Sequence, residues 1–288
     1  MVLTPRQFVQ LAKCSIQAWR DDHASSMGAA IAFYTAFSIA PLLIIVIAAA
    51  GLIWGEEAVR GEVLRQLGGL VGSEGAEGVQ ALIRSADKPT QGVAATLVST
   101  AILLIGATRV FAELQSALDR IWQVPSLRET AGWWRMLRAR LLSLGLVLGM
   151  SFLLLVSLVI GAGLAVISTW AIGLFPGWEW ILQGLNALTS LLLATVLFAV
   201  IFKYMPQASI AWRDVWVGAI VTAVLFEIGK FLIGLYVGKS STVSSLTAAG
   251  SLVIVLIWVY YAAQVFLLGA EFTWFYANHH GTRRKVAS

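Results

Sequence analysis

Six long apolar runs constrain this chain more than any other feature. They cover approximately residues 27–54, 92–111, 141–175, 180–202, 215–237 and 249–276. Each run is long enough to cross a bilayer as a helix, which takes roughly 20 residues. Closed β-barrels are the only other spanning structure, and the period-two alternation of their strands is missing from these runs. The sequence therefore predicts an all-α polytopic membrane protein with six transmembrane helices.

The composition agrees with this class and leaves little material for a metal or disulfide site. Hydrophobic residues make up 59% of the chain and charged residues 12%, whereas soluble domains are about half apolar and a quarter charged. The single cysteine, Cys14, has no partner within the chain for a disulfide. The three histidines all lie near the termini. We therefore expect no metal and no cofactor.

The distribution of Lys and Arg predicts the orientation. Fourteen of the 20 Lys and Arg residues fall in the N-terminal tail, the C-terminal tail, and the segments between spans two and three and between spans four and five. Five fall on the other side, and Lys230 lies within a span. Because cytoplasmic segments carry the excess of Lys and Arg, both termini are expected in the cytoplasm. This topology accounts for the net charge of +5, so no nucleic-acid partner is expected.

Three segments outside the spans have predicted roles in a single membrane domain covering residues 1–288. Residues 5–22 place Phe8 and Ile16 on one helical face, which is typical of an amphipathic helix on the inner membrane surface or of a helix packed on the bundle. Residues 55–91 are expected to form a helical outer loop, either a cap or a lid, and residues 112–140 a basic cytoplasmic loop. No cleavable signal peptide is apparent, so the first span is expected to remain as an anchor.

Two opposite charges, Glu227 and Lys230, interrupt the fifth apolar run near its midpoint. A charge at the bilayer centre costs about 2.5–3.5 kcal/mol on insertion scales. Three residues of helix bring the two side chains onto the same side, with Glu before Lys in the favourable order. The spacing therefore predicts an ion pair that faces the bundle interior. Two interpretations stay open: a structural pair that sets helix packing, or a polar site where a ligand competes for one partner.

Further polar groups accompany this pair along the spans. Glu271 and Gln264 share one face of the sixth span, and Arg109 and Glu113 are spaced as an i, i+4 pair at the inner end of the second. The first span contains Tyr34, and Pro41 predicts a kink there. Apart from Pro41, which is assigned only the kink, these residues and the ion pair are candidates for a substrate or ion pathway. At the start of the fifth span, Arg213 and Asp214 are interpreted as an interfacial anchor.

The sequence lacks the common catalytic and nucleotide-binding motifs. Residues 234–241, GLYVGKSS, place three residues between the first glycine and the Gly-Lys pair, where a phosphate-binding loop has four. No nucleophile elbow, HExxH motif or paired-cysteine motif is present. The chain is therefore not expected to be an enzyme.

Four segments together resemble the YihY/BrkB family of bacterial inner-membrane proteins. They are AIAFYTAFSIAPLL, GATRVFAELQSALDRIW, WRDVWVGAIVTAVLFEIGKFLIGLYVG and AAGSLVIVLIWVYYAAQVFLLGAEFTWFYA. The resemblance extends over approximately residues 18–278 and implies six helices with both termini inside. It also implies the family's virulence-factor and ribonuclease BN labels, and roles proposed for the family in lipid or amphiphile transport. Phosphodiester cleavage needs positioned metals or a general acid and base, which these residues do not provide.

The leading hypothesis is an inner-membrane transporter or flippase-like protein for a lipid or other anionic amphiphile. Lys230 would contact the anionic group, and Glu227 would hold Lys230 when the site is empty. The expected partners are membrane lipids, anionic ones above all, with envelope proteins as a further class and a monomer or homodimer as the assembly. The alternatives are a non-catalytic envelope scaffold and, third, a membrane-bound ribonuclease.

Overall fold

The computed structural model describes residues 4–65, 79–80, 83, 109–124, 178–239 and 248–283. This part of the chain is helical and contains no strand. Its longer helices are α1 (Pro5–Asp21), α2 (Ala24–Trp54), α3 (56–65), α4 (109–121), α5 (Trp178–Tyr204), α6 (Trp212–Lys239) and α7 (Ala248–His279), and residues 79–80 and 83 are also helical. The prediction of an all-helical membrane protein is confirmed for these residues.

Three of the helices contain segments long and apolar enough to cross a membrane. These segments are Ala187–Tyr204 in α5, Trp212–Leu232 in α6 and Val255–His279 in α7. They correspond to the fourth, fifth and sixth apolar runs, and each helix extends a few residues beyond the predicted bounds. The second and third runs lie outside the described residues except at 109–111, so the count of six spans stays a prediction.

The first apolar run forms most of α2, which is 31 residues long. The helix starts after His23, whose φ of 54° breaks the path from α1. It ends at Gly55, where a φ of 86° lies in the left-handed region that favours glycine. Position 41 falls within the continuous helix, so the proline does not end it. The side chain of Pro41 is not among those that the structure describes, so the kink there stays a prediction.

The chain divides into two compact units, each built from separated stretches of sequence. The first contains Met1–Ala18, Leu118–Leu225 and Leu268–Ser288, and the second contains Trp19–Ala117 and Phe226–Leu267. In the first unit, a core cluster joins Leu11 of α1 to Phe272 and Tyr276 of α7, with Val217 and Val221 of α6 packed against it. Helix α1 therefore packs on the last turns of α7.

The core of the second unit joins α2 and α7 to the outer segment. Its buried members are Ala32, Ile47, Val79, Ile83, Val255 and Val259. Val59 and Val63 of α3 pack against this cluster. Within residues 55–91, α3 and residues 79–80 and 83 are helical. This packing is compatible with either a cap or a lid, so both interpretations of the segment stay open.

Helix α4 corrects the boundary of the predicted basic loop. That loop was expected to begin at residue 112, but residues 109–121 are continuous helix. Ala117, Leu118 and Ile121 are buried at 3%, 0% and 1% exposure. Burial of this apolar row stabilises the helix beyond the end of the apolar run. The chain then turns at Gln123, which has a φ of 49°.

Candidate functional site

The two charges in the fifth run form an ion pair on α6. The ammonium nitrogen of Lys230 lies 2.6 Å from Oε2 of Glu227. The i, i+3 spacing on a helix brings the two side chains together because Lys230 leans back toward the N-terminus. About a quarter of each side chain is exposed, 25% for Lys230 and 26% for Glu227. The pair is therefore partly buried but not sealed within protein.

The neighbours of the pair on α6 show which side of the helix it occupies. Gly229 is buried, and a Cβ added there would overlap the hydroxyl of Tyr261 on α7. Ile228, Phe231 and Leu232 point the other way, with 52%, 66% and 57% of their surfaces exposed. With about 100° between successive residues, Glu227 and Lys230 fall on the flank between these two faces. A molecule moving along the exposed apolar face would meet the charges at its edge.

Two further predicted residues, Gln264 and Tyr34, belong to the same unit as the ion pair. The side-chain amide of Gln264 donates a hydrogen bond of 3.4 Å to the carbonyl oxygen of Ser25. It lies over Gly28 of α2, where a Cβ would overlap the amide nitrogen. Tyr34 is half-buried and meets Phe33 edge to face, with ring centroids 5.6 Å apart. Gln264 therefore has a structural role where α2 and α7 meet.

Glu271 is the most deeply buried of the predicted residues. Only 2% of its surface is exposed. It belongs to the first unit, on α7 between Gly269 and Thr273. Both of these neighbours contact α6 closely. This placement makes Glu271 part of the protein interior.

Arg109 and Glu113 lie about one turn apart on α4, within the part of the chain that the structure describes. Among these residues, no ion pair joins them; Arg109 is exposed and Glu113 is half-buried. Ordering two long exposed side chains costs entropy, which cancels much of the gain from an ion pair at the surface. The i, i+4 spacing permits such a pair without requiring it.

Asp214, interpreted from sequence as an interfacial anchor, is instead a buried hydrogen-bond acceptor. It lies in the first turn of α6 and is 1% exposed. Its Oδ2 atom accepts hydrogen bonds from the backbone N–H of Thr282 at 3.0 Å and from the Thr282 hydroxyl at 2.6 Å. These bonds tie the start of α6 to the chain that follows α7. Sequence spacing gives no signal for them, because the partners are 68 residues apart.

The turn between α5 and α6 is held by three charged side chains from separate segments. Asp119 of α4 accepts a 2.6 Å hydrogen bond from the N–H of Gln207. Lys203 donates to the carbonyl oxygen of Ile210, and Arg283 donates to that of Ser209. Arg283 also lies over the Trp122 ring, 5.2 Å from its centroid. In the sequence, Lys203 and Arg283 indicate only the orientation of the chain. Their contacts with this turn join distant segments and have no signal in the sequence.

A metal centre has no support in the described residues. These residues contain no group of three or more His, Cys, Asp or Glu side chains placed to hold a metal ion. The expectation of no cofactor stays a prediction for the whole chain.

Comparison with known proteins agrees with this architecture. The family described as Virulence factor BrkB matches residues 15–288. A UPF0761 membrane protein of Pseudomonas aeruginosa (strain LESB58) is 28% identical over 275 residues, covering 91% of this chain. A UPF0761 membrane protein of Alkalilimnicola ehrlichii is 30% identical over 200 residues, covering 67% of this chain and 42% of its own length. One of Delftia acidovorans is 33% identical over 174 residues, covering 60% of this chain and 39% of its own.

The lengths of these relatives differ from that of this chain. The chain spans 61% of the length of the Pseudomonas relative. No solved structure matches it. The family match covers nearly the whole chain, the relatives are membrane proteins by name, and three helices are apolar enough to span a bilayer. The chain is therefore a membrane protein of the BrkB family.

Proposed function

We propose that this protein is an inner-membrane transporter or flippase-like protein for a lipid or another anionic amphiphile. The observation that carries the proposal is the Glu227–Lys230 ion pair, 2.6 Å long and about a quarter exposed, in the middle of an apolar helix. Ionisable groups within membrane spans are costly and tend to mark substrate or ion paths. A purely structural pair would be expected to lie deeper in the protein.

The pair supports a partner-exchange mechanism. Lys230 binds the anionic headgroup, and Glu227 neutralises Lys230 when no substrate is present. The exchange keeps the ammonium group paired at every stage, so the charge is not left alone in a medium of low dielectric. The acyl chains of the substrate lie along the exposed apolar face formed by Ile228, Phe231 and Leu232.

The remaining pathway candidates differ in how much of each side chain a substrate could reach. Tyr34 and Glu113 are half-buried and Arg109 is exposed, so each offers polar atoms to a headgroup. The amide of Gln264 is held against Ser25 and Gly28 of α2 and would have to leave them to do so. Glu271 is buried at 2% exposure and would take part only if the packing around it opened. With both termini in the cytoplasm, as the positive-inside rule favours, the fifth span runs outward, and its pair lies within the membrane.

A reconstitution assay tests the proposal. Purified protein is placed in liposomes that contain a fluorescent phosphatidylglycerol, and its movement between leaflets is followed by chemical quenching of the outer leaflet. Lys230→Met removes the charge but keeps a linear side chain, and we expect it to reduce movement by tenfold or more. Glu227→Gln should change the rate less, because the cation that binds the headgroup remains.

The chain supplies a matched control in α3. Glu62 and Arg65 have the same i, i+3 spacing and are bonded to each other, but Arg65 is exposed outside the predicted spans. Arg65→Met should therefore transport lipid at the wild-type rate. If Lys230→Met also moves lipid at the wild-type rate while remaining folded, the proposed role of the pair is wrong. Wild-type protein that moves no amphiphile in this assay would favour the scaffold hypothesis instead.

A further inference from the structure

Helix α1 presents different chemistry on its packed and exposed sides. Leu11 and Ser15 are buried at 5% and 1% exposure, and Leu11 belongs to the core cluster with Phe272 and Tyr276 of α7. Phe8 contacts Phe272, with ring centroids 5.6 Å apart. One face of α1 is therefore anchored on α7, which fixes the direction in which the rest of the helix points.

The exposed side of α1 carries an apolar row beside a basic row. Val9 and Ile16 are 51% and 45% exposed, and seven residues separate them, which is about two turns. Arg6 and Lys13 are also exposed and two turns apart. Each basic residue precedes an apolar one by three positions, so the two rows lie next to each other along the helix.

The contact with α7 places this surface near the end of a membrane span. The span Val255–His279 contains 25 residues and is about 37 Å long at 1.5 Å per residue. The hydrocarbon core of a bilayer is about 30 Å thick. The last turns of α7, where Phe272 and Tyr276 hold α1, therefore lie close to the layer of lipid headgroups.

We propose that the exposed side of α1 binds the acidic phospholipid headgroups of the membrane surface. Val9 and Ile16 enter the boundary between headgroups and acyl chains, and Arg6 and Lys13 pair with headgroup phosphates. Helices with this combination of apolar and basic faces lie in the interface plane, and their binding depends on anionic lipid. This inference concerns a surface of the first unit and does not depend on the transport proposal.

The single cysteine of the chain makes a site-specific test possible. Cys14 is exposed and lies two residues before Ile16, about 200° around the helix from it. A spin label on Cys14 is compared with one on Ile16→Cys in a Cys14→Ala background, with both proteins in nanodiscs. We expect the label at 16 to be shielded from a water-soluble relaxation agent and accessible to oxygen. The label at 14 should remain accessible to water.

The effect of lipid composition shows whether the exposed side of α1 binds acidic headgroups or only contacts the membrane through its apolar residues. Adding phosphatidylglycerol to phosphatidylcholine nanodiscs should move the label at 16 deeper into the membrane. The double variant Arg6→Gln and Lys13→Gln should weaken the binding of α1 to the membrane surface about fivefold for each charge removed. Arg65→Gln on α3 is the control and should leave the response unchanged. A label at 16 that stays accessible to the water-soluble agent in both lipids would overturn the proposal. A label shielded from both the agent and oxygen, as contact with protein would produce, would also overturn it. A response equal in both lipids, or unaffected by removing the two charges, would also overturn it.

Discussion

Thr273 of α7 lies over Gly218 of α6 so closely that a Cβ at position 218 would overlap the threonine hydroxyl. Thr222 of α6 stands in the same relation to Gly269 of α7, in the opposite direction. Each threonine hydroxyl donates a hydrogen bond to the glycine carbonyl four residues earlier on its own helix, at 2.8 Å for Thr222 and 2.6 Å for Thr273. Each hydroxyl already has a hydrogen-bond acceptor on its own helix, and the glycines have no side chain. The two helices can therefore approach closely.

This reciprocal packing predicts that Gly218→Ala is destabilising. The atoms nearest an added methyl group all belong to Thr273, a branched side chain with little freedom to move aside. Overpacking of this kind costs about 1–3 kcal/mol. The midpoint of denaturant-induced unfolding in detergent, followed by tryptophan fluorescence, measures the loss.

Gly184 of α5 provides the control for that variant. A Cβ at Gly184 would meet nothing within 4 Å, so Gly184→Ala should be neutral or slightly stabilising. Equal unfolding midpoints for the two variants would contradict the close contact between α6 and α7.

Thr282→Val should destabilise the protein by about 1–3 kcal/mol, because it removes a hydrogen bond to the buried carboxylate of Asp214. The hydroxyl donates at 2.6 Å to an oxygen of a side chain that is 1% exposed. Thr189→Val is the matched control, since the Thr189 hydroxyl bonds only the Leu185 carbonyl of its own helix. If Thr282→Val costs no more stability than Thr189→Val, the hydrogen bond from Thr282 to Asp214 does not stabilise the fold.

Stability should also depend on pH through Asp119. Burial raises the pKa of the Asp119 carboxyl above its ordinary value of 3.8, while the hydrogen bond from Gln207 opposes the rise. The folded state therefore holds this proton more tightly than the unfolded state does. Asp119 therefore adds most to the free energy of unfolding below its ordinary pKa. This contribution is lost as pH rises through the raised pKa of the folded state.

Asp119→Asn tests this dependence because an amide oxygen can still accept from Gln207 but does not titrate. Relative to the wild type, its thermal midpoint should fall less, or rise more, as pH rises from about 3 to about 7. The prediction fails if Asp119→Asn and the wild type show the same slope.

A double-mutant cycle on Glu227 and Lys230 should give a coupling free energy on the order of 1 kcal/mol. The half-buried pair is less screened than a surface pair, so removing one charge should cost more than removing both. The same cycle on Glu62 and Arg65 should give about 0.5 kcal/mol or less. If the coupling at 227 and 230 is no larger than in that control, the partial burial of the pair has no energetic consequence.

Local physics explains which predictions from sequence were confirmed. The last three apolar runs appear as helices because length and apolarity decide helix formation in a membrane, where backbone groups must bond within the segment. The ion pair between Glu227 and Lys230 follows from spacing along one helix. The apolar row of α3 likewise predicts that Val59 and Val63 pack inward. On α1 the structure buries Leu11, which is not part of the row predicted from Phe8 and Ile16.

The sequence by itself determined the membrane class, the helices and which side chains lie within reach of each other along one helix. Only the tertiary structure decided that Asp214 is bonded to Thr282, that Asp119 and Arg283 hold the same turn, and that threonines fill the space over glycines on the opposite helix. The physical reason is distance along the chain. A helix repeats every 3.6 residues, so its period fixes which neighbours meet on one helix, but the partner of a buried polar group on another helix depends on how the helices cross.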